Sequence, residues 1–179
     1  MKQELQEKLF VKYPKLFKQK DSDMSKTCMC WGIEVGNGWY DLIDVTCSLI
    51  QSYCDGKDRI EVKSLKNTCA SIYNNILSFL NRITNRFFTN HNICFMLLKY
   101  QDKDRPQVEF IQVKEKFGTL RMYVTPYIKE VEDIIWMSEC FSSKICEHCG
   151  SMKDVTQTQG WITTICKECL DKKGGIKDV

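Results

Sequence analysis

Histidine is scarce in this sequence: His91 and His148 are the two in 179 residues. Neither sits in a recognisable catalytic motif, so Ser–His or Cys–His chemistry has no visible anchor. No G-x-x-x-x-G-K-[ST] loop is present, which removes the P-loop class of phosphate binders. No run approaches the length of uninterrupted apolar residues that a membrane span needs, so no membrane partner is expected. Met1 to Lys20 is charged and lacks an apolar segment, so no secretory leader is expected there. A charge excess is missing too. The net charge of +3 is too weak to imply a nucleic-acid partner on its own. Lysine far outnumbers arginine, which reads as compositional bias and not as a binding signal.

Cysteine, by contrast, is abundant, with eleven in the chain. Four of them form two C-x2-C knuckles: Cys146-Glu147-His148-Cys149, a sixteen-residue spacer, then Cys166-Lys167-Glu168-Cys169. This spacing is that of a four-thiolate zinc site. Gly150 follows the first knuckle, where a positive φ is easiest to place. The spacer fits a hairpin, with polar Thr156 to Gln159, a turn near Gly160, then Trp161, Ile162 and Ile165. Four ordinary buried or surface cysteines are the plainer alternative. A closed four-sulfur site leaves no position for water or substrate, so the zinc is expected to be structural. His148 inside the knuckle is expected second to the sulfurs, or exposed. Cys28 and Cys30 form a C-x-C without a partner pair; they read as buried free thiols, with a contribution to a second metal site as the weaker alternative. With no leader expected, zinc-bound thiolates fit a reducing cytoplasm.

Apolar periodicity organises the remainder. Leu5, Leu9, Phe10 and Tyr13 fit an N-terminal helix that Pro14 breaks. Three glycines (Gly32, Gly36 and Gly38) mark tight backbone. Trp39, Leu42, Ile43, Thr46, Leu49, Ile50 and Tyr53 then predict a helix over 39–54, capped by Asn37 or Gly38. Asp41 and Asp44 fall in its first turns, where they complement its dipole. A longer helix is predicted over 58–89. Strands are predicted over 93–100, 108–114 and 119–125, as an antiparallel three-stranded meander. Pro126 opens a last helix, with Ile128, Val131 and Ile135 on its buried face and Trp136 and Met137 as further candidates, ending near 142–143. The fold class is α+β: helices on a small antiparallel three-stranded sheet, with a C-terminal zinc ribbon. The expected division is an α+β domain over 1–142, a ribbon over 143–171 and a flexible tail over 172–179.

Several of these stretches resemble, together and in order, a family of small proteins encoded by bacteriophages and prophages. The stretches are Leu9 to Phe17 (LFVKYPKLF), Cys28 to Asp44 (CMCWGIEVGNGWYDLID), Gln112 to Tyr123 (QVKEKFGTLRMY), the knuckle Cys146 to Gly150, and Gly160-Trp161. The likeness runs from about Leu9 to Cys169 and is weakest over 56–107. Relatives often have a histidine near the position of Cys169, and zinc accepts either ligand. The resemblance implies a phage or prophage origin and carries no activity with it.

Two segments supply a candidate ligand site. The glycine turn entering a helix offers backbone N–H groups to an anion. Lys114, Lys116 and Arg121 on the second hairpin supply cations. If the two pack together, Trp31, Trp39 and Tyr40 become stacking walls, Glu34, Gly36 and Gly38 the turn, and Tyr123 part of the open strand face. Leu120, Met122 and Val124 share the opposite face, assigned to the core. The plainer alternative is that Trp31, Trp39 and Phe117 are core and the charges are solvated. With no catalytic signature, the expectation is a non-enzymatic binder in phage–host conflict. It would sequester a nucleotide-type immune signal or inhibit a host defence protein. A nucleic-acid-associated ribbon is the alternative, on Lys144, Lys153, Lys167, Lys172, Lys173 and Lys177 interleaved with acids. An enzyme acting on a nucleotide through Glu34 or Asp41 ranks last.

Overall fold

The structure is a computed structural model that describes residues 1–56, 73, 75–76, 79–80 and 105–173. The chain groups into two compact units, Met1–Cys54 with Pro106–Val179, and Asp55–Arg105. Of the second unit, residues 73, 75, 76, 79 and 80 are helical, inside the helix predicted over 58–89. The remainder of that helix, and the strand predicted over 93–100, lie outside the described residues.

The first unit is α+β. Helix α1 (Gln3–Lys12) ends just before Pro14 and buries Leu9. Tyr13, Leu16 and Phe17 extend its apolar contribution through the following turn. A short 3-10 turn, Cys28–Trp31, buries Met29 and leads into strand β1 (Ile33–Glu34). A second turn, Asn37–Trp39, opens helix α2 (Tyr40–Cys54), which buries Ile43, Thr46, Cys47 and Ile50. Asn37 does not cap this helix: its Oδ1 accepts the Lys2 N–H at 2.7 Å. Asp44 likewise turns to α1, accepting Lys12 Nζ at 2.8 Å and the Tyr13 hydroxyl at 3.0 Å.

Strands β2 (Glu109–Lys116) and β3 (Thr119–Thr125) form the expected antiparallel hairpin. The third strand differs from expectation. β1 pairs with β2 in parallel, Ile33 opposite Val113 and Glu34 opposite Lys114, so the described sheet is mixed. Two residues are too few to display an alternating pattern, and the glycines on either side disguise the strand. Leu120 and Met122 face the core as expected, and Tyr123 faces out.

Helix α3 (Lys129–Ser142) buries Val131, Ile135, Ser138 and Ser142. Trp136 and Met137, candidates for that face, are exposed. Each lies off the stripe that Val131, Ile135 and Ser138 define at helical spacing. The helix covers the outer edge of β3. Ser142 Oγ accepts the Leu120 N–H at 2.9 Å, and Glu139 Oε1 accepts that of Met122 at 3.0 Å. An open strand edge is thereby closed by side chains. One core joins α1, α2, α3 and the sheet, with Trp39 and Phe110 among its largest fully buried side chains.

The C-terminal segment is a small two-stranded hairpin, β4 (Val155–Gln157) against β5 (Thr164–Cys166), followed by the short helix α4 (Lys167–Lys172). Its own apolar centre is Cys146, Cys166 and Ile165, with Val155, Cys169 and Leu170 around them. Among the described residues no helix is long and apolar enough to cross a membrane.

Candidate metal centre and its cradle

The two knuckles converge. The sulfurs of Cys146, Cys149, Cys166 and Cys169 all lie within 4.8 Å of one another, and Cys149 and Cys166 are 3.6 Å apart. All four are free thiols, so the site is a four-sulfur cage able to hold a metal ion. Local backbone shapes it. The first knuckle is a turn in which the Gly150 N–H donates to the Cys146 carbonyl at 2.9 Å. Gly150 sits at φ +79°, the left-handed conformation expected of it. The second knuckle begins on β5 and ends on α4, and the Glu147 N–H donates to Thr164 O at 2.9 Å, joining the two.

The electrostatics of the cage fit a cation. Burial raises the Cys146 thiol, but N–H groups of Cys166, Cys149 and His148 outweigh it and bring it down to about 7. Cys169 is pushed up to about 12, chiefly by the neighbouring Cys149 sulfur. Four crowded thiols cannot all ionise unaided, and a divalent cation reverses that conflict. His148 is not part of the converging ligand group, and its Nε2 lies 2.7 Å from Lys173 Nζ. Burial and the Lys173 ammonium hold it below the usual histidine range.

The glycine turn lies directly on this cage. Gly38 N–H donates to Glu147 O at 2.7 Å, and Gly36 N–H to Glu147 Oε1 at 2.8 Å. Trp39 Nε1 donates to Ile145 O at 2.9 Å from within the core. A Cβ on Gly36 would come within 2.6 Å of Glu147 Cγ, and one on Gly38 within 2.8 Å of the Cys149 amide. Gly36 has φ −67°, which any residue adopts, so close approach is what requires glycine there. The N–H groups offered to an anion are therefore already taken by Glu147. The β2–β3 hairpin reaches the ribbon as well. Thr164 Oγ1 donates to Gly118 O, and a Cβ on Gly118 would lie 2.8 Å from Ile162 Cγ2.

The two sequence segments thus are neighbours, through β1 and β2, but what they jointly hold is the cysteine module. The ten candidate ligand residues disperse around it. Trp39 is fully buried in the core, and Tyr40 packs beside that core. Trp31 is exposed, its Nε1 against Met24 Sδ at 3.3 Å. Glu34 stands opposite Lys114 on the sheet. Arg121 reaches Glu139 of α3 at 3.4 Å. Lys114 and Tyr123 are brought together, with Nζ 5.8 Å from the ring centre. They line an open hollow of about 540 Å³ with Lys26, Thr27, Cys28 and Gln112. Lys116 lines a different hollow at the hairpin tip. Lys26, Thr27 and Gln112 were not among the candidate ligand residues: residues 20–26 show no pattern, and Thr27 is placed by its hydroxyl donating to Ile111 O, which brings its segment against β2. No protein-family model matches the chain, and no curated protein or solved structure matches it either.

Proposed function

We propose that this chain is a non-enzymatic binding protein stapled by one structural zinc, with a nucleotide-type small molecule as its ligand. The observation that carries the reading is the hollow between residues 24–28 and the outer face of β2–β3. It combines two ammonium groups, Lys26 and Lys114, with the Tyr123 ring and the polar side chains of Thr27 and Gln112. Phosphate and a base are what such a lining accepts: cations for one, a π-face and hydrogen-bonding groups for the other. Zinc suits the cage because its four donors are all sulfur. A tetrahedron with metal–sulfur bonds of about 2.3 Å has edges of about 3.8 Å, close to the cysteine spacing described above. Zinc so enclosed has no open position, which supports a structural and not a catalytic role.

The resemblance to phage-encoded proteins extends the reading to counter-defence in a host bacterium, with an immune signal of the nucleotide type as the sequestered molecule. Native mass spectrometry of the purified chain, set against its denatured mass, tests both parts. The expected result is one zinc per chain plus a small molecule that heat releases intact. Lys114→Ala with Tyr123→Ala should lose the small molecule and keep the zinc. A ligand returned cleaved would overturn the non-enzymatic reading. A ligand retained by the double variant would overturn the assignment of the hollow.

A further inference from the structure

Two large aromatic side chains stand in solvent at the tips of two hairpins. Phe117, in the β2–β3 turn, is 69% exposed, and Trp161, in the β4–β5 loop, is 85% exposed. Neither ring serves the core, and Phe117 is held at some expense. It has φ +52°, and Gly118 after it has φ +73°. Positive φ at both central residues is the pattern of a two-residue type I′ turn, in which Asn, Asp or Gly is the favoured first residue. A bulky residue there is an outlier, and such outliers concentrate at functional sites.

The two tips are locked together. Thr164 Oγ1 donates to Gly118 O, Gln157 Nε2 donates to Thr164 Oγ1 at 3.3 Å, and Ile162 packs on Gly118. Phe117, Trp161, Ile162 and Lys116 therefore line one preorganised hollow of about 370 Å³. Lys116 is its cation, with Nζ 5.5 Å from the Phe117 ring centre. The carboxylate at the rim, Glu115, already accepts the Gly118 N–H.

We infer that this hollow is a second binding site, independent of the one lined by Lys114 and Tyr123, and that it takes an unpaired base of a single-stranded nucleic acid. Charge complementarity selects that occupant. An aromatic side chain of a protein partner would bring a π-face and leave Lys116 unanswered. A nucleotide in a strand brings a π-face for Trp161 and Phe117 together with a phosphate for Lys116.

Fluorescence anisotropy with a labelled oligothymidine and a labelled oligouridine tests the site. Wild-type protein should bind at low salt and weaken steeply as salt rises. Trp161→Ala should reduce affinity by roughly ten- to a hundredfold, the range for loss of one stacked base. Phe117→Asn should reduce it similarly while raising the melting temperature, because asparagine tolerates the left-handed turn. Trp136→Ala, at another exposed tryptophan, on α3, should bind like wild type. Absence of binding to both oligonucleotides at low salt would overturn the inference. So would a Trp161→Ala protein that binds unchanged, or a Trp136→Ala protein weakened as much as Trp161→Ala. A Phe117→Asn protein that melts lower would give the ring a structural role instead. Lys114→Ala with Tyr123→Ala leaves the two clamp rings in place, so the two sites fail separately.

Discussion

An alanine at Gly38 would place its methyl group against the Cys146 carbonyl and the amides of Gly150 and Cys149. Those atoms are backbone and cannot swing aside as a side chain would. Overpacking of this kind costs up to about 3 kcal/mol where neighbours can yield, and more where they cannot. We expect Gly38→Ala to lose about 3 kcal/mol or more in urea unfolding. Gly160 supplies the control. It has positive φ but nothing within 4 Å of a Cβ, so Gly160→Ala should lose only the left-handed penalty of about 1 kcal/mol. Equal losses would mean that the turn does not depend on close docking. At this scale the sequence was half legible. Three glycines near position 35 announced tight backbone, and the C-x2-C pairs announced the cage. The partner of those glycines was not legible, because Gly36 and Glu147 are separated by 111 positions and no local pattern records such a contact.

Among the elements, β3 shows how a two-stranded hairpin and a two-residue strand make a stable layer. Its outer edge would otherwise present free amides, and α3 accepts two of them through Ser142 and Glu139. Leaving a buried amide without a partner costs about 1–3 kcal/mol. Ser142→Ala and Glu139→Leu should each therefore destabilise by roughly that amount. Burial raises the Glu139 carboxyl above its ordinary range, against the lowering effects of the Met122 N–H and Arg121. A raised carboxyl favours the folded state as it takes up a proton. Its contribution to stability thus grows as pH falls through the raised folded value, and levels off below the ordinary one near 4.5. Glu139→Gln keeps an acceptor and drops the charge. It should match or exceed wild-type stability at neutral pH and flatten that acid-side rise, as thermal melts over a pH series would read. A Glu139→Gln protein as unstable as Glu139→Leu would remove the edge-capping argument. Helices α2 and α3 and the β2–β3 hairpin were legible because their apolar repeats run over several turns or pairs. Strand β1 was not, since its identity comes from pairing with β2 and not from its own two residues.

Across the described first unit, the cysteine module and the α+β core behave as one body because three separate contacts tie them. The Glu147 carbonyl and carboxylate hold the 36–38 turn, the Ile145 carbonyl holds the Trp39 indole, and Thr164 holds the hairpin tip at Gly118. A free-standing ribbon would lose its metal without consequence elsewhere. Here the loss should travel. Structural zinc in small modules contributes apparent binding energy on the order of 10 kcal/mol, comparable to the whole stability of a small domain. Cys149→Ser should therefore both release the metal and loosen the core at its junction with α2. Hydrogen exchange is the discriminating measurement, because it reports each amide separately. The amides of Gly36 and Gly38 should lose protection in the variant, together with those of the cysteine knuckles. The central amides of β2 and the middle of α2 should keep theirs. Loss confined to residues 145–173 would make the ribbon an independent appendage and the glycine cradle a passive contact. Loss at the 36–38 turn as well would make the metal part of what holds the N-terminus of α2 in place.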